Sequence, residues 1–219
     1  MRNHHAQEIK QSLIALGVSE HKIDFSVFGS VAKFSRLNFI KTLSITQNLK
    51  NTKGAVAELG VWKGETAKYI NLFFDESFYL LDTFEGFDKK DIKQENTING
   101  AIQATDTDFS DISLEEVRLL MPHINRCHFI KGYFPDTTQW IPKEEKFRFV
   151  NLDVDLYQPI SAGLKYFYPR LVKNGVILIH DYFHPYYKGV KRAVDEFCYQ
   201  NNTRALPIGD AFSVMIIKL

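Results

Sequence analysis

The sequence predicts an α/β fold built on a mainly parallel sheet with helices on both faces. Three observations predict it. After Gly54, short apolar runs alternate with amphipathic stretches of helical length. The runs are apolar at successive positions, as in strands buried on both faces. Polar clusters follow directly after them, where open α/β sheets bind ligands beyond the carboxyl ends of their strands.

The elements are read in chain order. Residues 6–16 predict a short amphipathic helix, with Ile9, Leu13 and Leu16 on one face and Gly17 as its stop. Residues 22–28 read as a short extended piece. Residues 30–49 predict a longer helix whose apolar positions are Val31, Phe34, Leu37, Ile40, Leu43 and Ile45. Residues 55–61 predict the first strand, 65–74 a helix and 78–82 the second strand. Residues 85–111 are polar and loop-like; a connection of that length in a compact domain points to a functional lid. Residues 113–121 predict a helix opened by a capping box, Ser113 with Glu116. Strands follow at 128–131 and 147–152, a helix at 160–171, a fifth strand at 176–179, a helix at 188–199 and a last strand at 211–218.

The bulk numbers bound the function. The 219 residues suit one domain with a short appendage. A formal charge of +1 offers no footprint for nucleic acid or an anionic membrane. The two cysteines, Cys127 and Cys198, match no metal or redox spacing and read as buried reduced thiols. The residues after the N-terminal Met1-Arg2-Asn3-His4-His5 form no signal core, and no run is long enough to span a bilayer. A cytoplasmic protein is expected, without nucleic-acid or membrane partners.

Four clusters carry chemistry. The first, Ala57-Glu58-Leu59-Gly60-Val61-Trp62-Lys63-Gly64, leaves strand one and enters a helix. Gly60 allows a sharp turn and close backbone approach to a ligand. The amides after Gly64 favour a carboxylate, and Glu58 suits an ammonium group. The bland alternative is a tight turn with a solvated glutamate. The second cluster places Asp82 at the end of strand two, where an acid about 20 residues after the glycine turn suits ribose hydroxyls; alternatively it is a turn aspartate. Together they favour an adenosine-containing ligand. With Gly60 and Gly64 alone and Trp at 62, the dinucleotide glycine spacing is missing, which argues against NAD.

The third cluster is Asn151-Leu152-Asp153-Val154-Asp155-Leu156-Tyr157 and the fourth His180-Asp181-Tyr182. Neighbouring strands would bring these acids together. Carboxylates held close call for a cation, and oxygen ligands suit Mg²⁺ or Mn²⁺. The alternative is that the acids cap helices and His180 is a bonded interior histidine. His184 reads as a loop residue, and His123 and His128 as structural. Phe84, Phe87, Phe109 and Tyr157 line either a pocket or the core.

Glu58-Leu59-Gly60-Val61-Trp62-Lys63-Gly64, Asp82-Thr83-Phe84-Glu85-Gly86-Phe87, Leu152-Asp153-Val154-Asp155-Leu156-Tyr157, Tyr168-Pro169-Arg170-Leu171 and Ala193-Val194-Asp195-Glu196-Phe197 resemble, in that order, the macrocin O-methyltransferase family. The resemblance runs from about residue 32 to the C-terminus; residues 7–23 resemble instead a helix and turn of a separate Rossmann-like region. It implies a class I methyltransferase fold: a Rossmann-like three-layer sandwich with a mostly parallel seven-stranded sheet and a final antiparallel strand. Residues 1–50 would be an N-terminal helical extension or lid, and 51–219 the S-adenosylmethionine domain.

The resemblance further implies cofactor binding by Glu58, Gly60, Val61, Gly64, Asp82 and Thr83, with Ser110 and Asp111 near the adenine. It implies a metal, Mg²⁺ first and Mn²⁺ or another divalent ion second, on Asp153, His180 and Asp181. Where the family has an acidic pair, this chain has His180-Asp181, and histidine favours Mn²⁺, Fe²⁺ or Zn²⁺ over Mg²⁺. Asp153, Asp155 and His180 are the candidate catalytic residues. The expected reaction is methyl transfer to a hydroxyl of a sugar or sugar-containing natural product or polysaccharide. A catechol-type enzyme and a silent cofactor-binding module are the alternatives, and the chain could form a homo-oligomer.

Overall fold

A computed structural model of the protein describes residues 26–99, 104–111 and 113–219. The predicted helix at 6–16, and the part of the extended piece before Ser26, lie outside them. Residues 26–28 are helical, not extended: they open α1 (Ser26–Leu49). The other elements are β1 (Ala55–Leu59), α2 (Glu65–Phe73), β2 (Phe78–Asp82), α3 (Lys89–Asn99), α4 (Leu114–Leu120), β3 (Cys127–Lys131), β4 (Phe147–Leu152), α5 (Tyr157–Phe167), β5 (Leu171–Ile179), α6 (Lys188–Gln200), β6 (Leu206–Pro207) and β7 (Val214–Ile217).

The sheet has seven strands in the order β3-β2-β1-β4-β5-β7-β6. β3, β2, β1, β4 and β5 pair in parallel. β7 runs antiparallel to β5 and to β6. The chain walks outward from β1 to β3 and then returns to β4 on the other side of β1. The crevice between β1 and β4 is therefore the point where strand order reverses, the place such sheets reserve for ligands.

Alternation along each strand feeds two cores. Ala57, Leu59, Leu81, Val150, Leu152, Ile177 and Ile179 point to one face, against Ile160, Leu164 and Phe167 of α5 and Val190, Val194 and Phe197 of α6. Val56, Phe78, Leu80, Phe149, Val176 and Leu178 point to the other, against Ile40 of α1, Ala67 and Ile70 of α2 and Val117 of α4. The arrangement is a three-layer sandwich, as the sequence predicts.

Several boundaries differ. Leu171 opens β5 instead of closing a helix, because α5 ends at Phe167 and passes through a 3₁₀ turn, Tyr168–Arg170, that contains Pro169. The two-residue β6 carries no periodicity and is invisible in sequence. The capping box at Ser113 forms as read, with both reciprocal bonds present.

Two segments reverse expectation more deeply. Residues 85–111 are not simply a loop, for α3 runs through them. Its polar composition hides an anchor: Glu95 is fully buried, and its carboxylate accepts from the Tyr157 amide at 2.8 Å and the Gly189 amide at 2.9 Å. One carboxylate thus satisfies donors at the starts of both α5 and α6. In α1 the expected apolar stripe is partly outside, Phe34 being 70% and Ile45 51% exposed. The face turned inward carries Arg36, Ile40, Ser44 and Gln47. Gln47 and Ser44 meet the buried guanidinium of Arg148 on β4, whose Nη1 pairs with Glu76. Burial of a charge requires such partners.

Candidate active site

Glu58 stands near the end of β1 and is 1% exposed. Its Oε1 accepts from Asn151 Nδ2 on β4 at 2.8 Å, while Oε2 is buried with no hydrogen-bond partner among the described residues. Burial, above all, pushes its carboxyl well above the ordinary glutamate range. A buried acid with one unpartnered oxygen is a receptor for a donor group such as an ammonium.

Gly60 follows with φ of +87°, a conformation that costs glycine little. Its need for glycine comes from the protein itself. A Cβ there would lie 2.1 Å from the Asp153 carbonyl oxygen, because the exit of β4 crosses the turn. The amide of Asp153 donates to the Leu59 carbonyl at 2.9 Å and fixes this crossing. Gly64, at φ 70°, begins α2. Val61 is core, 5% exposed.

Asp82 stands at the end of β2, beside this turn. Its Oδ2 accepts from the amides of Val61 at 2.6 Å and Trp62 at 2.9 Å, and its Oδ1 from Phe84 at 2.7 Å. The carboxylate therefore braces the glycine turn, and a ribose would use its remaining lone pairs. Thr83 is spent on its own turn, donating to the Gly86 carbonyl. Ser110 likewise donates to the Thr107 carbonyl. Asp111 is exposed and reaches back to Lys63 at 2.6 Å and the Trp62 indole at 3.2 Å, so residues 104–111 close over the turn. Phe109 sits edge-on to both Trp62 and Phe87.

The third and fourth sequence clusters meet. β4 and β5 are neighbours, and ligand atoms of Asp153, His180 and Asp181 all lie within 4.8 Å of one another. His180 Nδ1 is 3.0 Å from Asp153 Oδ1 and 2.7 Å from Asp181 Oδ2. Burial opposes charge on the imidazole, yet Asp153 and Asp181 outweigh it and lift His180 to about 10. Against the same burial penalty, His180 and Arg36 hold Asp153 below the usual carboxylate range. Asp155 moves the other way, raised by burial and then by the charge of Asp181 beside it.

Arg36 is the residue that sequence reading missed. α1 delivers its guanidinium to Asp153 Oδ2 at 3.0 Å and to Thr66 Oγ1 of α2 at 3.1 Å. Its signal was a charged position in register with Ile40, Ser44 and Gln47, on the face turned inward. Left-handed non-glycine residues crowd the same rim: Trp62 after β1, Phe84 after β2, Asp155 after β4 and Asp181 after β5. Such conformations cost about 1–3 kcal/mol each and collect at functional sites.

The model of the macrocin-O-methyltransferase family (TylF) matches residues 4–214, so the family match includes the N-terminal stretch that the motif resemblance left out. The chain is 24% identical over 175 residues to the 8-demethyl-8-(2,3-dimethoxy-alpha-L-rhamnosyl)-tetracenomycin-C 4'-O-methyltransferase of Streptomyces olivaceus, covering 72% of this chain and 64% of that protein. It is 26% identical over 157 residues to the mycinamicin III 3''-O-methyltransferase of Micromonospora griseorubida, covering 66% of this chain and 60% of that one. It thus spans less than two thirds of the length of either relative. Among solved structures, that of the O-methyltransferase NovP shares the fold, with a TM-score of 0.68 and 22% identity over 84% of this chain and 79% of that one.

Proposed function

The chain belongs to the macrocin-O-methyltransferase family, and from that premise we propose that it transfers a methyl group from S-adenosylmethionine to a hydroxyl of a sugar, free or carried on a natural product or polysaccharide. The observation that carries the proposal is one juxtaposition. The buried, unpartnered oxygen of Glu58 lies close enough to Asp153, Arg36 and Asp82 to feel their charges, at the ends of β1, β2 and β4 where the order of the strands reverses, and Asp153 in turn meets His180 and Asp181.

S-adenosylmethionine, when bound, supplies an activated methyl group on its sulfonium. The residues present fit it. Glu58 Oε2 awaits a donor and suits the ammonium, and the start of α2 suits the carboxylate. Asp82 both stiffens the turn and faces the position of a ribose. Residues 104–111, tied down through Asp111, cover the adenine side and exclude water.

Asp153 aligns the acceptor hydroxyl. With the donor held by Glu58, the start of α2 and Asp82, the sulfonium would give its methyl group to the acceptor oxygen and keep the electrons of the broken S–C bond, and the hydroxyl proton would pass to a carboxylate oxygen. Asp153 takes that proton, because its backbone is fixed against the donor turn at Leu59 and its carboxylate stands where the acceptor would meet the methyl group. His180 is protonated there and serves as the donor that holds Asp153 and Asp181 rather than as the base. A Mg²⁺ ion does not fit this donor set: Arg36 already bonds one Asp153 oxygen, and His180 brings a nitrogen where an oxygen is required. Alignment supplies most of the rate in such a transfer.

Asp153→Ala tests the proposal. Transfer to a panel of nucleotide-activated sugars falls by about a hundredfold or more, while S-adenosylhomocysteine affinity by calorimetry stays near that of the unaltered protein. Unchanged transfer removes Asp153 from the reaction.

A further inference from the structure

We infer that the acid cluster of this protein is a metal-free centre, in which Arg36 of α1 and His180 at the exit of β5 engage the carboxylate oxygens that a metal would need. The inference rests on the methyltransferase reading only for its meaning in catalysis; the chemistry of the cluster stands apart from it.

The first ground is the position of the histidine nitrogen. His180 Nδ1 lies 3.0 Å from a carboxylate oxygen of Asp153 and 2.7 Å from one of Asp181. A nitrogen facing two anionic oxygens presents a proton to them, so Nδ1, the ring atom that lies among the carboxylates, has no lone pair to offer a metal there. The second ground is Arg36. Its side chain is 12% exposed and clamped at two points, Asp153 Oδ2 and Thr66 Oγ1. An arginine stays charged under all ordinary conditions, so a fixed cation already faces the second oxygen of Asp153. Bringing a divalent ion between these carboxylates would require turning His180 Nδ1 away and displacing Arg36 from Asp153, against partly buried hydrogen bonds at both places.

The arrangement also explains why α1 is built with a polar inner face. The helix carries one charged side chain to the crevice and anchors it through Ser44 and Gln47 further along. In the proposed reaction the guanidinium and imidazolium hold the two aspartates in register while Asp153 receives the acceptor proton.

The test is metal binding by the full chain, stripped with a chelator and titrated with MnCl₂ under paramagnetic resonance and with MgCl₂ in the calorimeter. The unaltered protein is expected to bind neither ion below millimolar concentration. His180→Asp restores a third carboxylate, and combined with Arg36→Met it removes the resident cations; that variant is expected to bind Mn²⁺ at least tenfold more tightly. Micromolar binding of either ion by the unaltered protein overturns the inference. So does a double variant whose Mn²⁺ affinity is unchanged while its melting curve shows it folded. If the variant fails to fold, His180→Asp alone decides by the same criterion. S-adenosylhomocysteine is titrated into the same stripped sample. Its failure to bind would sink the methyltransferase reading and leave the metal result to stand or fall by itself.

Discussion

Replacing Gly60 by alanine probes the point where the donor turn and the acid cluster touch. Two costs add. A left-handed φ of +87° penalises any Cβ by about 1–2 kcal/mol. The new methyl would also stand 2.1 Å from the Asp153 carbonyl oxygen and 2.7 Å from Val154 Cγ1, and forcing atoms into packed space costs about 1–3 kcal/mol more. The nearest obstacle is backbone, so relief requires moving the exit of β4. The sum, about 2–5 kcal/mol, corresponds to a melting temperature lower by on the order of 10 °C in a domain of this size. Gly209→Ala is the control: φ is +86°, with nothing within 4 Å of the added methyl, so it carries the strain without the collision. Thermal melts of both variants separate the two costs. Methyl transfer falls further in Gly60→Ala than the melt explains, because Asp153 is displaced. If Gly60→Ala melts no lower than Gly209→Ala, the close crossing of turn and strand is refuted.

Other outcomes follow from the same geometry. Glu95→Ala leaves the amides of Tyr157 and Gly189 without an acceptor and costs about 2–5 kcal/mol by denaturant titration, with amide exchange rising in α3. Asp82→Asn puts an amide donor against the Val61, Trp62 and Phe84 amides; S-adenosylhomocysteine affinity measured by calorimetry drops at least tenfold, and equal affinity would show that the brace is dispensable. His180 titrates higher when folded than its ordinary 6.5, so its contribution is full below that value and is lost as pH rises through about 10. Melts of His180→Gln and the unaltered chain should converge over that window, and a gap that is constant with pH would contradict the ion pairs with Asp153 and Asp181.

The sheet was legible because its strands obey a local rule. Runs such as Phe78–Asp82, apolar up to its last residue, and Phe147–Leu152, apolar except at Arg148 and Asn151, have bounds that coincide with the reading. The convergence of Asp153 with Asp181 was legible for the same reason, since it needs only that β4 and β5 be adjacent. What escaped depends on partners distant in sequence. α3 is polar in composition, and its helix is stabilised by a carboxylate buried against two other helices. The inner face of α1 reads as surface because its Ser44, Gln47 and Arg36 find partners on Phe73, Arg148 and Asp153. Asp82 was placed correctly at the rim, yet its bonds to the glycine turn follow from backbone amides that composition does not reveal.

The stripe of Arg36, Ser44 and Gln47 bears on where the molecule can be cut. A truncation starting at residue 51 would retain every strand and look sound by any sheet-based criterion. It would strand the Arg148 guanidinium without Gln47 or the Ser44 carbonyl, and deprive Asp153 of its guanidinium neighbour. Loss of one partner from a buried charge costs about 3–5 kcal/mol. Crystallisation fragments, fusions and tagged versions should therefore keep the first described helix whole, since chemistry and architecture end at different residues.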